Sequence, residues 1–496
     1  MLMPPGRDRR LVTTAILSGM VLAAIEATAV VAAMPSAVSE LGGVEHYSWV
    51  FSIYLLTSTT TVPLYGKLAD LYGRRRIFKI SVYLFLLGSV LSGFAQSIEQ
   101  LVVFRAIQGL GAGGVTPIGV TVAGDIYTIE ERGRIQGVFS AVWAVASIIG
   151  PPLGGLVTDL LTWRWIFFLC VPFGLMAVYL LDQFLGESKP RGDAKLDIAG
   201  TVYLTVAVTA LLLCLTWSDR WGWVDPRTVG LAGFSVLALG AFLWQENRAP
   251  EPMLPLDLFR NRIIAVSSVG NVLMGALMFG LISFIPIFGQ GLRGGSALDA
   301  GRMLIPMLIA WPIAAVISGW LPLKIGYRPV LVIGGVCIAT GTFLLTSIDG
   351  TTAAWLLLFA LVISGTGLGF TSIPYVLAVQ NAVPHERRGV ATGTTIFFRQ
   401  IGGAVAVAAL GVVFNTHFLT AGPPGVAPDS VLDSELRLRL PVEQLGQLET
   451  ALVGGLHQVF AALAFVAAGT LLVAFVFPGG LATEHAWTDD ESTSAL

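Results

Sequence analysis

Long apolar runs follow one another along almost the whole chain, with short polar turns between them. An α-helix needs about 20 apolar residues to cross the hydrocarbon core of a membrane. Fourteen runs reach that length, at residues 12–34, 47–66, 77–96, 100–124, 136–159, 165–185, 198–217, 228–245, 263–290, 298–319, 330–347, 353–380, 391–416 and 457–477. Since backbone groups in lipid must be hydrogen-bonded within the protein, the pattern predicts an all-α polytopic membrane protein with 14 spans.

The composition supports this prediction and excludes a soluble fold. Hydrophobic residues make up 55% of the chain and charged residues 12%, whereas soluble domains carry about 25% charged residues. The three cysteines lie inside apolar runs, so we expect neither a disulfide framework nor a metal site. The sequence shows no nucleotide-binding module and no nucleophile–histidine–acid set. We therefore expect no cofactor, no nucleic acid partner and no enzymatic activity, and an ion gradient as the energy source.

Basic residues are distributed unevenly between the two sides of the predicted membrane protein. Twenty of the 29 Lys and Arg residues fall on the side of the N-terminus, seven on the other side and two inside spans. Connections rich in Lys and Arg stay in the cytoplasm. The distribution predicts a multi-pass protein of the bacterial cytoplasmic membrane with both termini in the cytoplasm.

A basic turn between spans 2 and 3 recurs in degraded form far downstream. The two copies share the spacing of four residues, which are Gly66, Leu68, Gly73 and Arg75 in the first copy and Gly319, Leu321, Gly326 and Arg328 in the second. A second echo pairs Glu130–Gly137 with Glu386–Gly393, because both turns contain Arg-Gly followed by Gly four residues on. The repeat predicts a duplicated protein whose halves can rock against each other.

The repeat pairs spans 1–6 with spans 9–14 and leaves two spans as an insertion. We predict an N-terminal six-helix bundle at 11–185, two inserted spans and an amphipathic connector at 186–260, a C-terminal six-helix bundle at 261–477 with an outside loop at 417–456, and a cytoplasmic tail at 478–496. The inserted spans carry few polar residues, so we expect them at the periphery. The connector Pro252–Phe259 can place its apolar positions in the membrane interface. Prolines in the outside loop predict partial order at best.

Three charged side chains lie five or more residues from either end of a predicted span, where charges are costly and usually functional. Glu26 lies at the middle of span 1, Arg105 near the outer end of span 4, and Arg399 in the inner half of span 13. We assign proton coupling to Glu26 and Arg105, because a buried carboxylate can load and release a proton. An ionised Glu26 could also attract a cationic substrate. The alternative is that it only fixes helix packing, and the sequence does not pair it with either arginine.

A latch is expected at the cytoplasmic ends of the helices. Asp70 can pair with Arg134 or with the positive N-terminus of span 13, which would hold the inside closed. The predicted latch residues are Gly66, Asp70, Gly73, Arg74, Arg75 and Arg134. The alternative is that these arginines only follow the charge bias of the loops.

Span 5 contains the sequence GPPLGG at residues 150–155, which we expect to interrupt the helix. Proline removes hydrogen bonds from the helical ladder, and glycine loosens the backbone. The predicted antiporter hinge consists of Gly150, Pro151, Pro152, Gly154 and Gly155. A static kink is the alternative.

A substrate cavity is expected between the bundles, lined by polar, aromatic and methionine side chains. The predicted substrate-binding residues are Glu26, Trp143, Asn271, Met274, Phe279, Tyr375 and Arg399. For each of the aromatic and methionine side chains, contact with lipid or with the packed core is the alternative.

These motifs together resemble the 14-span drug:proton antiporter branch of the major facilitator superfamily over residues 11–477. Three stretches are similar to motifs of the superfamily in its loop 2–3, its span 4 and its span 5, and they are Gly66–Arg76, Arg105–Gly114 and Gly150–Gly155. Three further stretches fit the branch, namely Ile25–Pro35, Trp163–Phe168 and Arg399–Gly403. The chain departs from the branch at Glu26, where Asp is usual, and at Val31 and Cys170, where Asn is usual. Leu323 occupies the position that repeats Asp70, so any latch is one-sided.

The resemblance implies a proton-coupled antiporter that exports lipophilic, often cationic compounds by alternating access. We expect a monomer in the lipid bilayer whose partners are protons and a small amphipathic substrate. Two other functions stay open: a dedicated exporter of a lipid or of one secondary metabolite, and an uncoupled membrane protein such as a sensor or a scramblase. The substitution Glu26→Gln separates them, because it should abolish only gradient-driven export.

Overall fold

The computed structural model describes residues 7–41, 47–186, 197–293, 302–349, 352–422 and 442–484. Fourteen long helices run through this part of the chain: α1 (Arg7–Leu41), α2 (Tyr47–Tyr72), α3 (Arg74–Gly93), α4 (Ile98–Ile126), α5 (Ile129–Leu160), α6 (Arg164–Phe184), α7 (Ile198–Trp221), α8 (Pro226–Glu246), α9 (Arg262–Arg293), α10 (Ile305–Trp320), α11 (Tyr327–Leu345), α12 (Ala354–Asn381), α13 (Arg388–Ala421) and α14 (Val442–Val476). Three short helical segments lie at Leu256–Arg260, Pro322–Ile325 and His385–Arg387. The described residues thus form an all-α protein, as the apolar pattern predicts.

Thirteen of the described helices are long and apolar enough to cross a membrane. The helix that falls short is α2, whose centre carries the hydroxyl residues 57–61. Four of these five hydroxyls bond within their own helix, as Thr57 Oγ1 does to the Ile53 carbonyl at 2.8 Å and Thr60 Oγ1 to the Leu56 carbonyl at 3.0 Å. Their polar groups are therefore satisfied without water. The fold is compatible with the expected 14 spans.

The first half (α1–α6) and the second half (α9–α14) are built alike. In α4, Gly109 and Gly113 lie so close to the α2 backbone that a Cβ on either would overlap it. In α12, Gly365 and Gly369 lie equally close to the α10 backbone. Small residues at these positions let the helices of each pair approach closely. This shared packing extends the repeat beyond the turns from which the sequence predicts it.

The inserted helices α7 and α8 lie at the edge of the bundle. On α8, Val236 and Leu237 are 68% and 73% exposed, as expected for side chains that face lipid. Inward-facing residues of the insertion pack against Val62 of α2 and Phe397 of α13, where the two halves meet. The peripheral position agrees with the low polar content of these spans, and it places the insertion beside the boundary between the halves.

The connector after α8 bonds to both halves. Glu246 at the end of α8 accepts hydrogen bonds from the backbone N–H groups of Met253 and Leu254, at 3.2 Å each. Two ion pairs of 2.5 Å then attach the connector, Lys67–Glu251 to the first half and Arg387–Asp257 to the second. Met253, Leu254 and Leu258 are buried, which fits the amphipathic connector expected from the sequence.

The expected outside loop at 417–456 is shorter than predicted. Helix α13 continues to Ala421 and α14 begins at Val442, so residues 417–421 and 442–456 are helical. The apolar runs end earlier than the helices because both helices extend beyond the apolar core with polar turns that can be solvated. Residues 423–441 lie outside the described residues, as do residues 485–496 of the expected tail.

Candidate functional site

A buried ion pair joins α1 to α4 inside the first half. Arg105 Nη1 donates a hydrogen bond to Glu26 Oε1, and the two residues are 2% and 0% exposed. Arg105 also donates to Gln108 Oε1 at 2.8 Å and to the Val50 carbonyl of α2 at 3.2 Å. Its guanidinium stacks over the Tyr54 ring at 4.2 Å from the centroid. The arginine therefore ties three helices to one carboxylate.

Sequence reasoning missed this pair, because Arg105 lies in the first turns of α4 whereas Glu26 lies mid-way along α1. The second carboxylate oxygen, Glu26 Oε2, is buried without a hydrogen-bond partner among the described residues. A buried ion whose oxygens are incompletely bonded is costly, and a bound proton relieves that cost. The assignment of Glu26 as a proton site stays a prediction, and this environment is compatible with it. The expectation that it also faces a substrate does not fit its complete burial in this conformation.

The glycine–proline motif of α5 packs directly against α1 beside the ion pair. Thr28 Oγ1 donates to the Ala146 carbonyl at 3.0 Å. A Cβ on Gly150 would overlap the Thr28 side chain, and a Cβ on Gly154 would overlap the α1 backbone at Ala29. The two glycines thus seat α5 on α1 within one turn of Glu26.

The expected interruption of span 5 is wrong, because α5 is continuous from Ile129 to Leu160. Pro151 and Pro152 lie inside it with exposed side chains, and Gly155 has open space around it. A proline ring on the outer face can be accommodated within a helix when neighbouring groups adjust around the freed carbonyls. The motif serves close packing here, and its role as a hinge stays a prediction.

Hydrogen bonds between the halves gather at one end of the bundle, which we call the basic end and define by Lys67, Arg74, Arg132 and Arg388. Here Asp70 of α2 accepts hydrogen bonds from the N–H groups of Gly389 at 3.1 Å and Val390 at 2.8 Å, in the first turn of α13. Of the two partners expected for Asp70, the helix N-terminus is the one present. The carboxylate satisfies free N–H groups where the helix dipole is positive.

Asp125, in the last turn of α4, is the centre of the same contact. Arg74 Nε lies 2.5 Å from Asp125 Oδ2, while Arg388 Nη1 and His385 Nδ1 lie 2.8 and 2.9 Å from Oδ1. Arg74 also donates to Asp70 Oδ1 at 3.0 Å. Sequence reasoning missed Asp125, although an acidic residue in the last turn of a span beside a basic loop is a signal for such a pair. We call this contact the first seam.

Two predicted latch residues lie elsewhere. Arg75 bonds within the first half, to the Leu185 carbonyl and to Asp182, both at 3.1 Å. Arg134 is exposed, and the neighbouring Arg132 takes the buried position instead. The helical period explains why Arg132 is buried and Arg134 is not, since residues two apart in sequence face different sides of a helix.

Glycine has a backbone role at the turn between α2 and α3. Gly73 adopts φ 96°, and Gly326, its repeat in the second half, adopts φ 84°. Residues with a Cβ rarely adopt this conformation, so the turn requires glycine in both copies. Gly66 has a different role: a Cβ there would overlap the backbone of Gly389 in α13.

A second seam repeats the first with the halves exchanged. Arg132 at the start of α5 donates to Asn381 Oδ1 at 2.6 Å, and Asn381 Nδ2 donates to the Tyr327 hydroxyl at 2.7 Å. A Cβ on Gly133 would overlap the backbone of Gly319 in α10. The two seams together bring the halves into backbone contact on both sides of the basic end.

The predicted cavity residues divide into two groups. Asn271, Met274 and Tyr375 are 0% exposed, and Met274 and Tyr375 belong to the packed cores of the second half. In this conformation they do not line an open space. Trp143 is 37% exposed, and Phe279 and Arg399 also keep accessible surface.

Trp143 faces the interior of the bundle. Val145 and Ile149, on the opposite face of α5, are 53% and 51% exposed and take the lipid side. Arg399 follows Gly389 by ten residues, as Trp143 follows Gly133, so the repeat gives them equivalent positions on α13 and α5. We call the space between these two helices the central cleft, and the repeat assigns Trp143 and Arg399 to its two sides.

The opposite end of the first half is fixed by an exposed carboxylate. Glu40 at the end of α1 accepts hydrogen bonds from Trp163 Nε1 at 2.8 Å and Arg164 Nη1 at 2.6 Å. These two donors hold the pKa of Glu40 below its ordinary value. Glu40 therefore stays ionised, in contrast to the environment of Glu26 on the same helix.

Twelve of the fourteen long helices form two halves that are built alike, and a buried charge pair lies inside the first half. This architecture is typical of a membrane transporter. A family model described as Major Facilitator Superfamily matches residues 16–407. The chain belongs to this superfamily.

Relatives with names that refer to drugs are similar over nearly the full chain. Multidrug transporter protein MdtP of Bacillus subtilis (strain 168) is 33% identical over 523 residues, covering 98% of this chain and 96% of that protein. Multidrug resistance protein 3 of the same organism is 32% identical, covering 95% of each. Among solved structures, the human organic anion transporter MFSD10 matches with a TM-score of 0.60 at 15% identity, covering 95% of this chain and 100% of that chain. The proton:xylose symporter XylE matches with a TM-score of 0.57 at 15% identity, covering 95% and 96%.

Proposed function

We propose that the protein is a proton-coupled antiporter that exports lipophilic compounds by alternating access, with the basic end in the cytoplasm. The observation that carries the proposal is the buried pair Glu26–Arg105, located one helical turn from the contact between α1 and α5. The names of the bacterial relatives support drug-like substrates. The excess of basic residues at the seams supports the orientation.

Proton uptake by Glu26 changes the bonding of three helices at once. A protonated Glu26 no longer compensates the charge of Arg105, whose remaining described contacts are Gln108, the Val50 carbonyl and the Tyr54 and Phe167 rings. Removing one partner of a buried ion pair costs about 3–5 kcal/mol. An energy of that size is enough to shift a two-state equilibrium strongly. Since Thr28 and Ala29 of α1 contact α5, the change reaches the motif at Gly150 directly.

The seams supply the second state of the cycle. Both seams are in contact in this structure. With the basic end in the cytoplasm, as proposed, this arrangement would be the state of the cycle that is closed to the inside. Opening the inside requires that Asp70 leave the N-terminus of α13 and that Arg388 leave Asp125. We propose that proton release from Glu26 and entry of substrate from the cytoplasm accompany this separation.

The role of Glu26 is tested in proteoliposomes with an imposed pH gradient. We expect Glu26→Gln to abolish gradient-driven export of a fluorescent lipophilic substrate and the accompanying proton flux, because the amide cannot exchange a proton. Glu26→Asp should restore coupling. Glu40→Gln is the matched control, since it removes an exposed carboxylate from the same helix. Equal gradient-driven transport by wild type and Glu26→Gln would overturn the assignment.

A further inference from the structure

Arg399 differs from Arg74, Arg105 and Arg132 in having no partner among the residues that the structure describes. It lies inside α13 of the second half, and its side chain keeps part of its surface accessible. No hydrogen bond, ion pair or ring contact joins its side chain to any described residue. Arg74, Arg105 and Arg132, by contrast, each bond to a carboxylate or an amide oxygen.

An unpaired guanidinium inside a membrane protein is costly, because few charges or water dipoles compensate it. Such a group is retained where a mobile anion supplies the missing charge. The guanidinium is also the side chain best shaped for this purpose, since its planar fork binds a carboxylate through two parallel hydrogen bonds. Arg399 thus has the chemistry of an anion-binding group in a cleft that opens and closes.

Two partly exposed aromatic side chains are related to Arg399, Trp143 through the repeat and Phe279 through its contact with α13. Trp143 is the repeat counterpart of Arg399 across the cleft and is 37% exposed. The Phe279 ring packs on Gly403, one turn along α13 from Arg399, and keeps part of its surface open. Apolar walls with one fixed charge are the usual composition of a small-molecule site.

We propose that Arg399 binds an acidic group of the transported compound, whose lipophilic body lies against Trp143 and Phe279. The substrate class is therefore amphipathic acids, such as lipophilic carboxylates, rather than lipophilic cations. A cation in the cleft would meet the positive charge of Arg399 and find Glu26 already paired with Arg105. The inference rests on the proposed export function and specifies its substrate.

The test measures binding and export separately, with pyrenebutyrate, its uncharged methyl ester and tetraphenylphosphonium as probes. Binding to the purified protein is followed by fluorescence and calorimetry, and export is followed in proteoliposomes with a pH gradient. We expect wild type to bind the acid at least about tenfold more tightly than the ester, and Arg399→Gln to remove that difference, which is the factor expected from one charge-assisted hydrogen bond. Arg399→Lys should retain part of it. Arg248→Gln, at an exposed arginine outside the cleft, is the control and should match wild type.

Each outcome decides one claim. Equal binding of acid and ester by wild type, or an acid affinity unchanged in Arg399→Gln, overturns the inference even if gradient-driven export is intact. Preferential binding and export of tetraphenylphosphonium overturns it as well. Loss of the preference for the acid in Arg399→Gln, with the ester still bound, supports it. Absence of gradient-driven export for every probe would instead contradict the proposed function, while the binding data would still decide the role of Arg399.

Discussion

The two seams at the basic end have the same geometry and different electrostatics. Their residues correspond through the repeat as Asp70 to Leu323, Arg74 to Tyr327, Asp125 to Asn381, and Arg388 to Arg132. Both seams place an arginine at the start of one helix on a side-chain oxygen in the last turn of another, at 2.8 Å for Arg388–Asp125 and 2.6 Å for Arg132–Asn381. Only the first seam has carboxylates.

The comparison indicates that the two copies of the repeat have kept the same contact geometry at the seams but differ in which seam residues are charged. The first seam combines two acids with three cationic or potentially cationic side chains, so its strength depends on charge. The second seam relies on one arginine, one amide and one hydroxyl. We expect the first seam to respond to charge substitutions and the second to steric ones.

The largest effect is expected from Asp125→Asn, which gives the first seam the chemistry of the second. It leaves Arg74, whose side chain is 4% exposed, and Arg388 without their shared counter-charge. The cost is about 3–5 kcal/mol. This loss of stability is measured by thermal unfolding in detergent and by amide hydrogen exchange. The first amides of α13 should exchange faster in the variant. Asn381→Asp is the matched control, because it places a carboxylate next to Arg132 and should leave the second seam closed. Unchanged exchange in Asp125→Asn would contradict the importance of charge at the first seam.

A smaller, steric effect is expected from Gly133→Ala in the second seam. The new methyl group would overlap the Gly319 backbone, which cannot move as a flexible side chain does. Overpacking of this kind costs about 1–3 kcal/mol. Here it destabilises only the state in which the second seam is closed. Hydrogen exchange at the start of α5 should increase. Gly411→Ala, at a position with open space, serves as the control. If the amides at the start of α5 exchange hydrogen as slowly in Gly133→Ala as in this control, the backbone contact has no energetic role.

The smallest of the three effects is expected from Asp70→Asn. The amide oxygen can still accept from Val390 N–H, but the charge at the positive end of α13 and the ion pair with Arg74 are lost. Arg74 keeps Asp125 as a counter-charge, whereas Asp125→Asn removes a counter-charge from both Arg74 and Arg388. Charges at a helix N-terminus contribute about 0.3–1 kcal/mol, and up to about 2 when partly buried. Exchange at Val390 should rise less than in Asp125→Asn. Asp70→Leu, which copies Leu323, should exceed Asp70→Asn because it removes the hydrogen bonds as well. The reverse order would contradict a stabilising role of these hydrogen bonds at the first seam.

The sequence predicts the helices, the duplication and the family resemblance because these depend on local information. Apolar length fixes the number of candidate spans, and the repeated turn spacing identifies the two copies. Sequence reasoning also finds Glu26 and Asp70, since a carboxylate within or beside an apolar run is conspicuous. It fails at the glycine–proline motif, where proline composition predicts a break that α5 does not have.

What the sequence alone determined is thus the class of fold, its internal repeat and a short set of charged residues. The tertiary structure decided which of those charges meet. Depth along a helix follows from helix length and from how neighbouring helices are positioned, so residue numbers alone do not bring Arg105 to Glu26 or Asp125 to Arg388. The positions of the neighbouring helices likewise leave Arg399 without an ion pair to any carboxylate described in the structure. Pairing is a property of three-dimensional packing, because electrostatic energies depend on distances of a few ångströms and on burial.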